Sequence, residues 1–151
     1  MKNFYSITTT LEEQLLSDPN INTVTIGDIT QVTNFKQDLF PVAHILLNNV
    51  DIQENILVFN FTIFCMDIRN VSKEAQVDRF RGNDNLHDIL NTQLVVVSRL
   101  SDFLRRGSIS RDRYKLVESP SAEPFIDRFE HEVAGWAITM DVEIPNETQI
   151  C

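Results

Sequence analysis

Histidine, cysteine, serine and carboxylate side chains are where chemistry would have to start in this 151-residue chain. His44, His87 and His131 lie far apart, and none has a second ligand-type residue at the spacing of a helical metal pair. His131 is flanked by Glu130 and Glu132, but consecutive residues of an extended chain point apart. A nucleophilic cysteine needs an electropositive, accessible setting. Cys65 sits between Phe64 and Met66, which predicts an inert, buried thiol. Cys151 is the last residue, so the two cysteines have neither disulfide nor metal spacing. Ser6, Ser98, Ser101 and Ser108 lack the glycines of a nucleophile elbow. Gly27, Gly82, Gly107 and Gly135 are isolated, so no phosphate-cradling loop is present. Asp67, Asp84 and Asp88 fall near a strand end and a helix start, where capping and solvent explain them without a divalent ion. The expectation is no enzyme, no cofactor and no metal, so function must come from architecture.

That architecture is organised around Gln53–Asn70, and above all Ile56–Ile68, where only Asn60, Thr62 and Asp67 are polar. Period two with aromatic and β-branched residues predicts a strand. Leu57, Phe59, Phe61, Ile63 and Cys65 form an uninterrupted core face. Ile56, Val58, Asn60, Thr62, Phe64 and Met66 form a second face, partly wet or covered by a partner. At about 3.3 Å per residue the strand is roughly 40 Å long, well beyond the usual length, and is expected to project past its own sheet.

Before it, Lys2–Leu16 carries Phe4, Ile7, Leu11 and Leu15 on one helical face and stops at Ser17-Asp18-Pro19-Asn20. Asn22–Ile29 reads as a short strand broken by Gly27-Asp28, and Thr30–Leu39 as a loop. Phe40-Pro41 opens a strand over Val42–Asn48, and Asn48-Asn49-Val50-Asp51 has turn chemistry, giving a hairpin from Pro41 to Ile68. Val71–Arg81 is charged and reads as a connection or short helix, with Asp84 as candidate N-cap for the next helix. Asn85–Arg106 is the clearest helix. Leu86, Ile89, Leu90, Val97, Leu100 and Leu104 line a face, with Asp88, Gln93, Arg99 and Asp102 off it; Arg105-Arg106-Gly107 is a fitting end. Asp112–Glu118 predicts a short strand, Ser119–Glu132 an extended arm or wide loop. Val133–Ile144 predicts a last strand with Trp136, Ile138, Met140, Val142 and Ile144 facing the core. Helices that flank blocks of antiparallel strands predict a single α+β domain, a mostly antiparallel sheet packed by two helices.

A length of 151 residues suits one domain, and 42% hydrophobic with 23% charged residues is ordinary globular composition. No apolar run approaches the ~18 residues of a membrane span. The Met1-Lys2-Asn3-Phe4 start has no small-residue cleavage site after an apolar region, which argues against a signal peptide. The sparse cysteines suit a reducing cytoplasm. A net charge of −9 disfavours gripping phosphate backbones, while tolerating DNA that passes nearby. Within so acidic a chain, the basic islands Arg79 with Arg81, and Arg105, Arg106, Arg111 and Arg113, suit either solvent or an acidic surface on a neighbouring copy.

In layout the chain resembles the tail-terminator and tail-completion (neck, head–tail connector) proteins of tailed bacteriophages. The features that carry it are the helix Lys2–Leu16, the Phe40-Pro41 strand opening and the long strand ending at Met66-Asp67. With them go the Leu86–Leu104 helix and the terminal GWAITMDVEIPN, Gly135–Asn146. The resemblance implies a structural subunit of a hexameric or dodecameric ring in the virion, assembled in the bacterial host cytoplasm. Such a ring joins portal and tail proteins, and DNA passes its lumen without specific binding. It directs attention to subunit contacts along the hairpin and the arm. The candidates are Asn60, Thr62 and Phe64, the basic residues Arg79, Arg81, Arg105 and Arg106, and Phe125, Arg128 and Phe129. The competing reading is a non-phage interaction module, an adaptor or immunity-type α+β domain, which solution mass would separate from a ring.

Overall fold

The computed structural model describes residues 4–28, 37–69, 85–106, 115–126 and 133–145. The Val71–Arg81 connection, the candidate N-cap Asp84 and the candidate contacts Arg79, Arg81, Arg128 and Phe129 lie outside these residues. Helix α1 spans Phe4–Leu16 and buries Ile7, Leu11 and Leu15, a stripe at i, i+4, i+8. Beyond it the Asp18 carboxylate accepts the Asn20 amide at 3.0 Å, turning the chain. Its other oxygen accepts from Arg99 at 3.2 Å, so the end of α1 is tied to the second helix.

Strand β1, Thr23–Ile26, leads to a single 3-10 turn at Gln37–Leu39 and then to β2, Val42–Gln53. β2 is longer than the Val42–Asn48 expected. The polar Asn48-Asn49 pair is an irregularity within the strand, not its end, because the register jumps there from Leu47↔Phe61 to Asn49↔Asn60. One extra residue is a β-bulge. It resets the alternation, so that Val50 and Ile52 stand on the same face as Ala43, Ile45 and Leu47. The turn lies instead at Glu54-Asn55, where Asn55 adopts φ 67°, a left-handed conformation that asparagine tolerates.

β3, Ile56–Ile68, has the bounds expected for the long strand. It does not overhang its sheet: β2 pairs with it from Ile56 to Met66 and β5, Val133–Pro145, from Ile56 to Ile68. Helix α2, Leu86–Arg106, begins at Asn85, whose carbonyl accepts the Ile89 amide at 2.9 Å and whose side chain donates to Ile68 O. Gln93 belongs to its buried face, at 1% exposure, and not to the outer side. Positions 86, 89, 93, 97, 100 and 104 follow one helical stripe, so position outweighs polarity here. Val96, Val97, Leu100 and Leu104 complete that face. Trp136 Nε1 donates to Leu90 O at 2.8 Å, fixing α2 to the sheet.

β4 runs Lys115–Ile126, through most of what the sequence reads as an arm. It pairs with β5 from Lys115↔Glu143 to Ile126↔Ala134, interrupted where Glu118, Ser119 and Pro120 stand against Met140 alone. A proline-containing strand is tolerated here because β4 is an edge. The sheet order is β1-β2-β3-β5-β4, antiparallel except for the parallel β1–β2 pair, which makes the chain α+β. One core joins α1 and α2 to the inner face through Phe59, Phe61, Ile63 and Cys65 of β3 and Ile138, Met140, Val142 and Ile144 of β5. A second, smaller cluster on the outer face holds Phe40, Val42, Phe64, Met66, Phe125 and Val133.

Candidate subunit interface

The strands have a closed end and an open one. Near Ile68, β3 is buried on both faces, with Phe64, Cys65 and Met66 all under 3% exposed. Toward Ile56 the outer face is polar. Asn48 donates to Asn60 Oδ1 at 2.8 Å and to Thr62 Oγ1 at 2.7 Å, and Asn60 passes the chain on to Asp141 at 2.6 Å. Thr62 and Thr139 lie 3.2 Å apart across the next row. Asn48 shares this face with Val42, His44 and Leu46 by simple alternation, and the bulge beside it sets Asn49 opposite Asn60. These bonds run between β2, β3 and β5 and fix their register.

The expected contact residues therefore divide. Asn60 and Thr62 stand in this half-buried polar row, with the exposed Asn48 on its rim. Phe64 and Phe125 are not available to a partner. They meet edge to face with centroids 5.9 Å apart, at 2% and 8% exposure, inside the outer cluster. The alternation that put Phe64 on the second face was right, but strand β4 brings Phe125 over it within the same chain. Arg105 is exposed in the last turn of α2, beside Arg106 in sequence.

Around the open end, apolar groups reach the surface at one edge. Phe4 and Tyr5 begin α1, with Tyr5 79% exposed, and a groove runs between them and Val24 and Ile26 of β1. The Phe4 ring lies tilted against that of Phe59, centroids 6.1 Å apart; the register partner of Phe59 is Val50, and Ile52 two residues on is 78% exposed. β1 covers β2 only from Val42 to Ile45, so the rest of the outer edge of β2 has no strand beside it among the described residues. The opposite edge of the sheet is β4, with none beyond it among those residues.

Among the candidate chemical groups, His44, Cys65 and Asp67 have structural settings. His44 is fully buried; its Nε2 meets Gly27 O at 3.0 Å, so Nε2 carries the hydrogen of the neutral ring and Nδ1 accepts from Thr25 Oγ1 at 2.8 Å. Burial lowers its pKa, against the opposing pull of the Gly27 carbonyl and of Asp28. Cys65 is buried and its pKa is pushed far up by desolvation, with a smaller push from Asp18, which makes it a poor thiolate. Burial also raises the Asp67 pKa, partly offset by the Ile68 amide that it accepts. No group of three or more metal-ligating side chains occurs among the described residues, and no described helix is long and apolar enough to cross a membrane. Sequence reasoning did not find the uncovered edges, because edge position follows from strand order and not from any one strand's pattern. No protein-family model matches this chain, and its comparison with curated proteins gives no match.

Proposed function

We propose that this chain is a structural subunit of a bacteriophage neck or tail ring, a tail terminator or head–tail connector, that assembles around a DNA channel and joins portal and tail. The observation that carries this reading is the sheet itself: long strands covered on both faces at one end and on the inner face alone at the other, where neither edge has a strand beside it among the described residues. An exposed edge in an apolar setting is a template for another chain unless it is protected. The element order supports the reading as well, being the helix, short strand, hairpin, helix, hairpin layout that resembles those ring subunits. The acidic chain suits a lumen through which DNA slides without being held. Electron microscopy of the purified protein, alone and mixed with portal or tail-tube proteins, tests it. Rings with a central hole are expected; particles of single-chain size under all these conditions would refute it.

A further inference from the structure

The two edges that have no strand beside them among the described residues match each other, and this deepens the ring reading, on which it rests. Register can be followed across the whole sheet at its open end. Lys115 is level with Glu143, then Val58, then Asp51. Leu116 is level with Val142, Phe59 and Val50, and Val117 with Asp141, Asn60 and Asn49. The free part of β4 and the free part of β2 thus lie at one height on opposite sides of the molecule.

Backbone polarity matches too. In an antiparallel ladder alternate residues turn their N–H and C=O to opposite sides. Ile45 turns its carbonyl toward β1, where Gly27 N donates to it at 3.1 Å. Its partner Ile63 therefore aims at β5, as do Phe61, Phe59 and Leu57 by alternation. Val50 and Ile52, opposite Phe59 and Leu57, then aim outward at the free edge. Val142, opposite Phe59, aims at β3, so Leu116 on its other side aims outward as well. Pro124 checks the count. It stands opposite Trp136, an outward position in the same series, where its missing hydrogen costs β5 nothing.

Three antiparallel steps separate β4 from β2, so the two strands run in opposite directions. Pro120 and Pro124 blunt the later part of β4, and β1 covers the early part of β2, which leaves the backbone of Lys115–Val117 and of the Asn49–Ile52 region without a neighbouring strand on the outer side among the described residues.

We infer that a second copy of this chain adds its β4, through Lys115–Val117, to the free edge of β2, with Leu116 of one copy opposite Val50 of the next. The pairing is antiparallel, and Leu116 and Val50 form a hydrogen-bonded pair. An apolar residue meets an apolar one in that row. Since the rows run level, each copy is added sideways with no step along the strands, as a head-to-tail contact must be if it is to close into a ring.

A cysteine pair at the third row tests this. Asn49→Cys with Val117→Cys, in a Cys151→Ser background, places two thiols in a non-hydrogen-bonded pair, where Cα atoms approach to about 4.5 Å. Under mild oxidation a ladder of covalent dimers, trimers and larger species up to the ring is expected on a non-reducing gel. Either single cysteine variant, and the off-register pair Asn49→Cys with Ser121→Cys, should give at least tenfold less. Equal ladders from matched and off-register pairs overturn the inference. Rings of wild-type protein in the microscope without a matched-pair ladder overturn this contact and leave the ring reading standing; neither rings nor ladder overturns both.

Discussion

The same three strands, β2, β3 and β5, finish differently at their two ends. At the Ile68 end both faces are covered from within the chain, by the helices on one side and by Phe40, Val42, Phe125 and Val133 on the other. At the Ile56 end only the inner face is covered; the outer face carries a hydrogen-bonded polar row, and both edges are free of neighbouring strands among the described residues. Cover from within the chain is therefore two-sided at the first end and one-sided at the second. A strand of usual length would supply the first end alone. In the proposed ring, the added residues of β2, β3 and β5 are the surface that meets another chain.

Substitutions should separate the two ends, beginning with the largest effect. Phe64→Ala removes a ring from the closed end and should cost about 3–5 kcal/mol of unfolding free energy in urea titration; a loss under ~1 kcal/mol would show that the outer cluster is not a core. Gly135→Ala is next. A β-carbon there would fall 1.9 Å from the Cys65 carbonyl oxygen, backbone against backbone, so β3 and β5 would have to separate. A loss of about 3 kcal/mol is expected by the same titration; an unchanged midpoint would contradict the close approach of these strands.

A smaller, pH-dependent effect belongs to His44. The fold favours its neutral form and lowers its pKa below 6.5, so the unfolded chain binds more protons as pH falls through that value. His44's contribution is thus complete above about pH 6.5 and declines below it. Thermal midpoints should fall between pH 7.5 and pH 5.5 in buffers that bracket ~6.5, and His44→Gln should flatten this part of the curve. A wild-type midpoint that rises on acidification, with no difference in the variant, would contradict the assignment. The smallest effect is expected at the open end. Ile52→Ser should change stability by less than about 0.5 kcal/mol, since the side chain is 78% exposed. A large loss there would erase the contrast between the ends.

Much of this was readable from residue pattern. Ile56–Ile68 alternates without a break, and Ile138, Met140, Val142 and Ile144 do the same, so both strands and their core faces emerged directly. Two of the misreadings share a physical origin in bulges. Asn48-Asn49 has the composition of a turn, yet pairing with β3 absorbs one extra residue and carries β2 on to Gln53. Ser119-Pro120 has the composition of a loop, yet β5 holds β4 through it because an edge strand needs bonds on one side only. Gln93 was misplaced because a polar residue on the buried stripe looks local until the neighbouring turn at Asn20 supplies a carbonyl, here 3.5 Å from Nε2. The candidate interface was the least legible part, since Phe64 and Phe125 are 61 positions apart (125 − 64) and only strand order shows that they cover each other.

The solution mass of the full chain, followed by light scattering from about 1 to 100 μM, bears most directly on the claim that the open end binds further copies. A mass of six or twelve chains, dissociating only on dilution, is the expected result. A constant 17.4 kDa across that range would mean that these edges do not hold copies of this protein together.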